Sequence, residues 1–446
     1  MQGKNMNRIE QVESILIHID GDLPIGTLPK HQKMASSPFL FLRGSAALMY
    51  HDFATNRINL PDALFNIPLT HIIGDCHTGN FGFISEEGSH GDTIIFTPND
   101  FDDACVGHAT WDLFRFITSL FLARLHASEL QMSTDDLNIR QKPLVSSEQL
   151  LEGSKEFVRA YLDACHGSVQ DTLTTRSALT TFDKEHILYK RWQKAIQRKA
   201  GGAAFTTNST LAKELDFSQS TLAFKNDQER FKRLPQGLYD EIQTRFAPYV
   251  DDKILDIVER LSAGTGSHNL TRYYLLVGPE SAKTQGRDFH LCHIVEIKQQ
   301  RLAAPLHYFA NLSPINQLNP AHLTVNCQRK MQRRPDLVLD DVIWQDKHWL
   351  VRSRHHARVG CDPEDFMLGK RAALKGGLSQ YAASCGHSLA LAHMRGDRRS
   401  ILFQQACLDT ISVHTEALVN AAQAYAQQVQ EDQELLVSLL RNAQTE

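Results

Sequence analysis

The 446-residue sequence has no Cys-x-x-Cys pair, no internal repeat and no low-complexity segment. Its apolar runs all fall short of the ~20 residues that a membrane helix needs. Eight cysteines scattered in this way exclude a paired-thiol zinc or redox motif and predict free, mostly buried thiols. Neither sign of charge dominates. Lys and Arg number 47 and Asp and Glu 51, a net −4, so the bulk charge offers no footprint for nucleic acid. Residues 1–10 are polar and hold no apolar core of signal-peptide length. The expectation is a cytoplasmic protein without nucleic-acid or membrane partners. The 21 histidines, His355-His356 included, lack the i, i+4 acid-and-His pattern of a zinc helix.

Two stretches carry a dense set of oxygen donors. The first is His71-Ile72-Ile73-Gly74-Asp75-Cys76-His77-Thr78-Gly79-Asn80-Phe81-Gly82. The second is Thr93-Ile94-Ile95-Phe96-Thr97-Pro98-Asn99-Asp100-Phe101-Asp102-Asp103. Each has a short apolar run leading into Asp and Asn, and the two runs read as paired strands that hold ligands on a rigid support. Asp75 and Asn80 then lie on the loop after the first strand, and Asp100 and Asp102 after the second. Such hard donors suit Mg²⁺ or Mn²⁺. A base-like Asp, an Asn five residues on and an Asp after the next strand is the set that phosphoryl transfer requires. The plain alternative is that these residues cap turns.

Around these stretches the chain reads as helix, then sheet, then helix. Trp111, Phe114, Ile117, Phe121 and Leu125 fall at helical spacing, with Thr110 as N-cap and Asp112 in the first turn. Further helices are expected at 146–165, 183–199 and 238–247. Residues 258–355 read as a small antiparallel β module, with strands at 271–277 and 290–298. A hairpin over 338–354 turns at Trp344-Gln345-Asp346-Lys347. Helices return at 378–395 and 401–442. The basic run Arg329–Arg334 reads as a solvated face or loop. In the β module, Gly264, Gly266 and Ser267 precede a strand and could bring backbone N–H groups to phosphates. Lys298, at the end of the next strand, could set an ammonium on the α- and β-phosphates.

Ser37-Pro38-Phe39-x-Phe41-x-Arg43-Gly44, Gly74-Asp75-x-His77-x-x-Asn80-Phe81-Gly82, Asn99-Asp100-Phe101-Asp102-Asp103 and Trp111-Asp112-Leu113-x-Arg115 resemble the hallmarks of a bacterial family, domain of unknown function 2252. The same residues resemble the aminoglycoside phosphotransferase branch of the protein-kinase-like fold. That resemblance implies Asp75 as the catalytic Asp, Asn80 with Asp100 or Asp102 as metal ligands, and Asp112 as an anchor of the catalytic loop. His77 and Arg43 would support the site. ATP and Mg²⁺ would be the cofactors, and the phosphate acceptor stays unnamed.

In an ordinary kinase the glycine-rich loop and lysine precede the catalytic loop, whereas here they follow it. The helix-like stretch from Tyr381 to His393 resembles the one that normally leads into that loop. The expected fold is therefore an α+β, circularly permuted, two-lobed kinase-like fold. Residues 1–257 and 356–446 would form a mainly helical large lobe and 258–355 a small antiparallel β lobe. The lysine's usual helix Glu is missing, because the next Glu after Lys298 is Glu364. That keeps open a nucleotide-binding pseudokinase. Gly74-Asp75-x-His77 also resembles part of a two-metal phosphoesterase pattern, although no Gly-His-x-His follows.

Overall fold

The computed structural model describes residues 6–89, 91–261, 270–283, 288–397 and 400–444. Helices α1 (Arg8–Ile19), α2 (Pro29–Ala35), α3 (Pro38–Gly44) and α4 (Ala46–Ala54) lead to strand β1 (Thr70–Ile72). Strands β2 (Phe81–Ser85), β3 (Ile94–Pro98) and β4 (Cys105–Gly107) precede the long helices α5 (Ala109–Ser133) and α6 (Ser147–Val169). Strands β5 (Phe231–Lys232), β6 (Lys253–Arg260), β7 (Arg272–Gly278) and β8 (His293–Gln299) come next. Helix α7 (Pro320–Met331) separates them from the hairpin of β9 (Leu339–Trp344) and β10 (Lys347–Arg354). Strand β11 (Val359–Gly360) and helices α8 (Gly377–Asp397) and α9 (Leu402–Ala443) close the chain. The fold is α+β, and its strand pairings are antiparallel.

Helix α5 is the axis of the helical part. Trp111, Leu113, Phe114, Phe116, Ile117 and Leu120 are all buried, as in a helix enclosed on every side. Thr110 is not its N-cap. His108 holds that position, and the Thr110 hydroxyl, inside the first turn, donates to the carbonyl of Leu64 at 2.9 Å. Helix α9 is amphipathic: Phe403, Cys407, Ile411, Leu418, Ala422, Tyr425 and Val429 form its buried stripe. Helices α6 and α8 approach closely at Gly386, where a Cβ would stand 2.1 Å from the Phe157 carbonyl oxygen. Arg8 ties three helices together by bonding Asp52 of α4 and Asp432 of α9, each at 2.7 Å.

The larger sheet runs β9-β10-β8-β7-β6-β5. Tyr274, Leu276 and Ile294 enter one apolar cluster, and Tyr273, Leu275, Val277, Val295 and Ile297 enter another. Alternate side chains thus serve opposite faces, and both faces are covered. That is why β7 and β8 read as nearly continuous apolar runs. In the tight hairpin between β9 and β10, Gln345 and Asp346 take φ of +51° and +55°, the left-handed pair that such two-residue turns require.

Two further expectations are corrected. The Ile72-Ile73 and Ile94–Phe96 runs are not partners. Strand β1 pairs with β4, matching His71 to Val106, and β3 pairs with β2, matching Phe96 to Phe83. Phe81–Ser85 is an intervening strand, so Phe81 and Gly82 belong to it and not to the loop after β1. The sheet starts before 258, a position that falls inside β6, and Phe231–Lys232 adds a strand to its edge. The run Arg329–Arg334 keeps Arg329 and Arg334 exposed, as expected of a solvated face or loop, while Arg333 turns inward to pair with the buried Glu86 at 2.6 Å. All eight cysteines are free and buried. Among the described residues no helix is long and apolar enough to cross a membrane.

Candidate active site

The loop after β1 is held from beneath by one carboxylate. Asp112, fully buried in the first turn of α5, accepts the backbone N–H groups of Ile73 at 2.7 Å and Gly74 at 3.0 Å. Its Oδ2 also meets His393 Nε2 at 3.0 Å, which joins α8 to the loop. Gly74 makes the turn at φ +76°, and a Cβ there would lie 1.9 Å from the Asp103 carbonyl oxygen. Only glycine combines that backbone with so close an approach.

The turn delivers Asp75. Its Oδ1 accepts from Arg115 Nε at 2.7 Å, while Arg115 Nη2 donates to the Leu42 carbonyl at 2.7 Å. Arg115 stands three residues after Asp112, so one face of α5 both anchors the loop and orients its carboxylate. Burial raises the Asp75 pKa to about 6, against the pull of Arg115 and with help from Asp103 and Asp100. His77 Nε2 lies 3.7 Å from Asp75 Oδ2, and its Nδ1 accepts the Gly79 N–H at 3.0 Å. Burial holds His77 well below the ordinary imidazole range, so it is neutral. With Nδ1 accepting, the proton sits on Nε2, facing Asp75.

Asn80 and the second cluster are part of the same construction. Asn80 Nδ2 donates to the Asp75 carbonyl at 2.8 Å, and the Asn80 carbonyl accepts from Asn99 N–H at 3.0 Å. With its amide nitrogen used in this way, Asn80 keeps its side-chain oxygen as a donor to a cation. Asp103 accepts the Ala304 N–H at 2.8 Å and so fastens the loop to the chain after β8. Asp102 contacts Lys298 through Oδ2, and its Oδ1 lies 3.3 Å from Gln300 Nε2. Asp100 faces Lys298, Arg352 and Arg358 at longer range.

The wall opposite is strongly cationic. Lys298 is buried, and burial lowers its pKa to about 7 against the pull of Asp100. Burial alone would raise the Glu296 pKa, but Arg272, Arg352 and Arg354 together hold it well below the carboxylate range. Arg352 bonds Glu296 at 2.8 Å, and Arg272 approaches it at 3.0 Å. Arg354 lies over the Tyr274 ring at 4.9 Å, with its buried Nε unpartnered. Arg301 Nη1 is likewise buried without a partner. Asn99, Phe101, Glu296, Arg352, Arg354 and Arg358 line a cavity on this wall.

The residues singled out from the sequence thus fall into two groups that meet. Asp75, His77, Asn80, Asp112 and Arg43 surround one loop, and Asp100 and Asp102 join it to Lys298. Gly264, Gly266 and Ser267 lie outside the described residues. Arg43 is partly buried above Gly79, with its guanidinium carbon 5.9 Å from the Phe39 ring. Arg115, His393, Arg301, Arg352, Arg354 and Arg358 had received no role from sequence. The Asp112-Leu113-x-Arg115 spacing, with acid and base on one helix face, was the available signal for Arg115.

Among the described residues no group of three His, Cys, Asp or Glu stands together as a ready metal nest. Asn80, Asp100 and Asp102 offer hard oxygen donors of the kind Mg²⁺ takes, an ion that uses few protein ligands and completes its shell with phosphates and water. The chain matches, over residues 24–439, the model of a family described as an uncharacterized protein conserved in bacteria (DUF2252). No curated protein and no solved structure matches it.

Proposed function

Since the chain belongs to this uncharacterized bacterial family, we propose, from its site geometry, an ATP- and Mg²⁺-dependent phosphotransferase acting on a hydroxyl group. The observation that carries the reading is the contact between Lys298 and Asp102, beside the loop of Asp75 and Asn80. A kinase-type site needs a strand lysine and a metal-binding Asp at one nucleotide, next to a base-like Asp and an Asn. The order of elements supports a permuted, two-lobed kinase-like fold. Lys298 is on the third strand of the β6-β7-β8 meander, helix α7 follows, and the β9–β10 hairpin completes the sheet. Kinases likewise place the lysine on a third strand with a helix after it.

In this reading Asp75 accepts the proton of the acceptor hydroxyl through Oδ2, the oxygen that Arg115 leaves open. Arg115 and Asp112 position it, and neutral His77 flanks it. Asn80 with Asp100 or Asp102 would hold Mg²⁺, which neutralises phosphate charge when bound. Lys298 and the guanidiniums of Arg301, Arg354 and Arg358 face the nucleotide phosphates. Release of ADP from ATP, compared between the wild type and Asp75→Ala, tests the reading; equal rates would defeat it.

A second reading, a nucleotide-binding protein without transfer, is favoured by one observation. Helix α7 offers Gln328 and no Glu, and Lys298 bonds Asp102 instead of a helix carboxylate. Nucleotide binding without any ADP release would select it. A two-metal phosphoesterase is the weakest reading, because it needs a shared nest of metal ligands.

A further inference from the structure

We infer that the phosphate acceptor is a small hydroxyl compound bearing an anionic group, a carboxylate or a phosphate, and that Arg43 binds that group beside Asp75. The inference rests on the phosphotransferase reading and names its acceptor class. Arg43 closes α3 in the Phe39-x-Phe41-x-Arg43-Gly44 stretch, a motif that the nucleotide site does not use. Its guanidinium carbon lies 3.9 Å from where a Cβ on Gly79 would be, and that point is 3.3 Å from His77 Nδ1. His77 in turn faces the open oxygen of Asp75 at 3.7 Å. Arg43 is therefore on the acceptor side of the loop, one imidazole away from the carboxylate that takes the proton.

The charge around it is not balanced. Arg43 makes no ion pair among the described residues, and its Nε is buried without a partner. A buried guanidinium N–H without an acceptor is costly, and a bound anion removes that cost. Lys33, exposed on α2, is a second cation beside it and feels its repulsion. The carboxylates near this corner are engaged elsewhere. Asp75 is bonded to Arg115, and Glu129 interacts with His126 and Ser37. Arg43, without a counter-ion and one imidazole from the candidate base, would repel a cationic acceptor such as an amino sugar and would leave a neutral polyol unattached. An acceptor whose anionic end meets Arg43 has its hydroxyl carried toward Asp75 Oδ2. A planar guanidinium also suits the two oxygens of a carboxylate or phosphate.

The test is calorimetric titration of D-glycerate, glycerol 3-phosphate, glycerol and ethanolamine into the protein with Mg²⁺ and a non-transferable ATP analogue. It is run on the wild type, Arg43→Gln and Arg43→Lys, and binding of the nucleotide analogue reports that each variant is folded. One or both anions are expected to bind the wild type, with glycerol and ethanolamine silent. Arg43→Gln should weaken the anion about tenfold or more, as loss of a charge-assisted pair does, and Arg43→Lys should retain part of the affinity. Preference for glycerate identifies a carboxylate acceptor, and preference for glycerol 3-phosphate a phosphorylated one. Anions that fail to bind, that bind Arg43→Gln equally, or that bind no better than glycerol or ethanolamine overturn the inference. If the nucleotide does not bind the wild type but the anions do so through Arg43, the phosphotransferase reading falls and the anion site stands.

Discussion

Lys298, at the end of β8, contacts the carboxylate of Asp102, 196 positions earlier in the chain. The pair joins the sheet to the loop that also leads, through Asn99 and Asn80, to Asp75. Lys298→Met keeps the length of the side chain and removes the charge. Nucleotide affinity is expected to fall more than about tenfold, because the phosphates lose a close ammonium. Circular dichroism should be unchanged. A variant that binds Mg·ATP as well as the wild type would remove Lys298 from the nucleotide site.

Asp75 sets the pH response. Burial raises its pKa to about 6, so it is protonated below that pH and cannot accept a hydroxyl proton. Turnover should therefore decline as pH falls through about 6, with the slope of a single group. Asp75→Asn should abolish turnover at every pH while nucleotide binding persists. Measuring kcat/KM from pH 5 to 8 checks this, and an unchanged acid limb in a slow Asp75→Asn enzyme would assign it to another group.

Asp112 should act through the loop and not on substrate. Asp112→Asn puts an amide nitrogen against a backbone N–H or His393 and removes a buried charge that three groups surround. A loss of about 2–4 kcal/mol is expected from breaking such a buried network. Chemical denaturation measures it. Turnover should fall in the folded protein, and an unchanged denaturation midpoint would contradict the anchoring role.

Gly74→Ala tests the turn itself. The φ of +76° is strained for alanine, and the added carbon would meet the Asp103 carbonyl. The melting temperature should drop by several degrees, with turnover lost in the same protein. Gly91→Ala is the control: Gly91 also has positive φ, at +71°, but has open space at its Cβ. It should cost less. Equal costs would show that close approach to Asp103 contributes nothing.

Local features were legible in the sequence, and long-range partners were not. The stripe of α5, the hairpin at Gln345-Asp346 and the strand β7 follow from spacing and turn chemistry that act over a few residues. The residues of the Asp75 loop could be named because hard oxygen donors of that density suggest chemistry. What could not be read was pairing. The β1–β4 match and the insertion of β2 beside β3 depend on how the loops 73–80, 86–93 and 99–104 turn back. Arg115 with Asp75 and His393 with Asp112 join positions 40 and 281 residues apart. Neither pair has a local signature, since a buried ion pair is fixed by packing around it. The Arg333–Glu86 pair has no local signature either, because Glu86 lies in a distant turn.

The proposed nucleotide site is assembled from Lys298 and the Asp100–Asp102 loop. Calorimetric titration of a non-hydrolysable ATP analogue, with and without Mg²⁺, into the wild type and the double variant Asp100→Asn/Asp102→Asn tests it most directly. Binding by the wild type should depend on Mg²⁺ and be lost in the double variant. No binding by the wild type, or binding of equal strength in the variant, would contradict it.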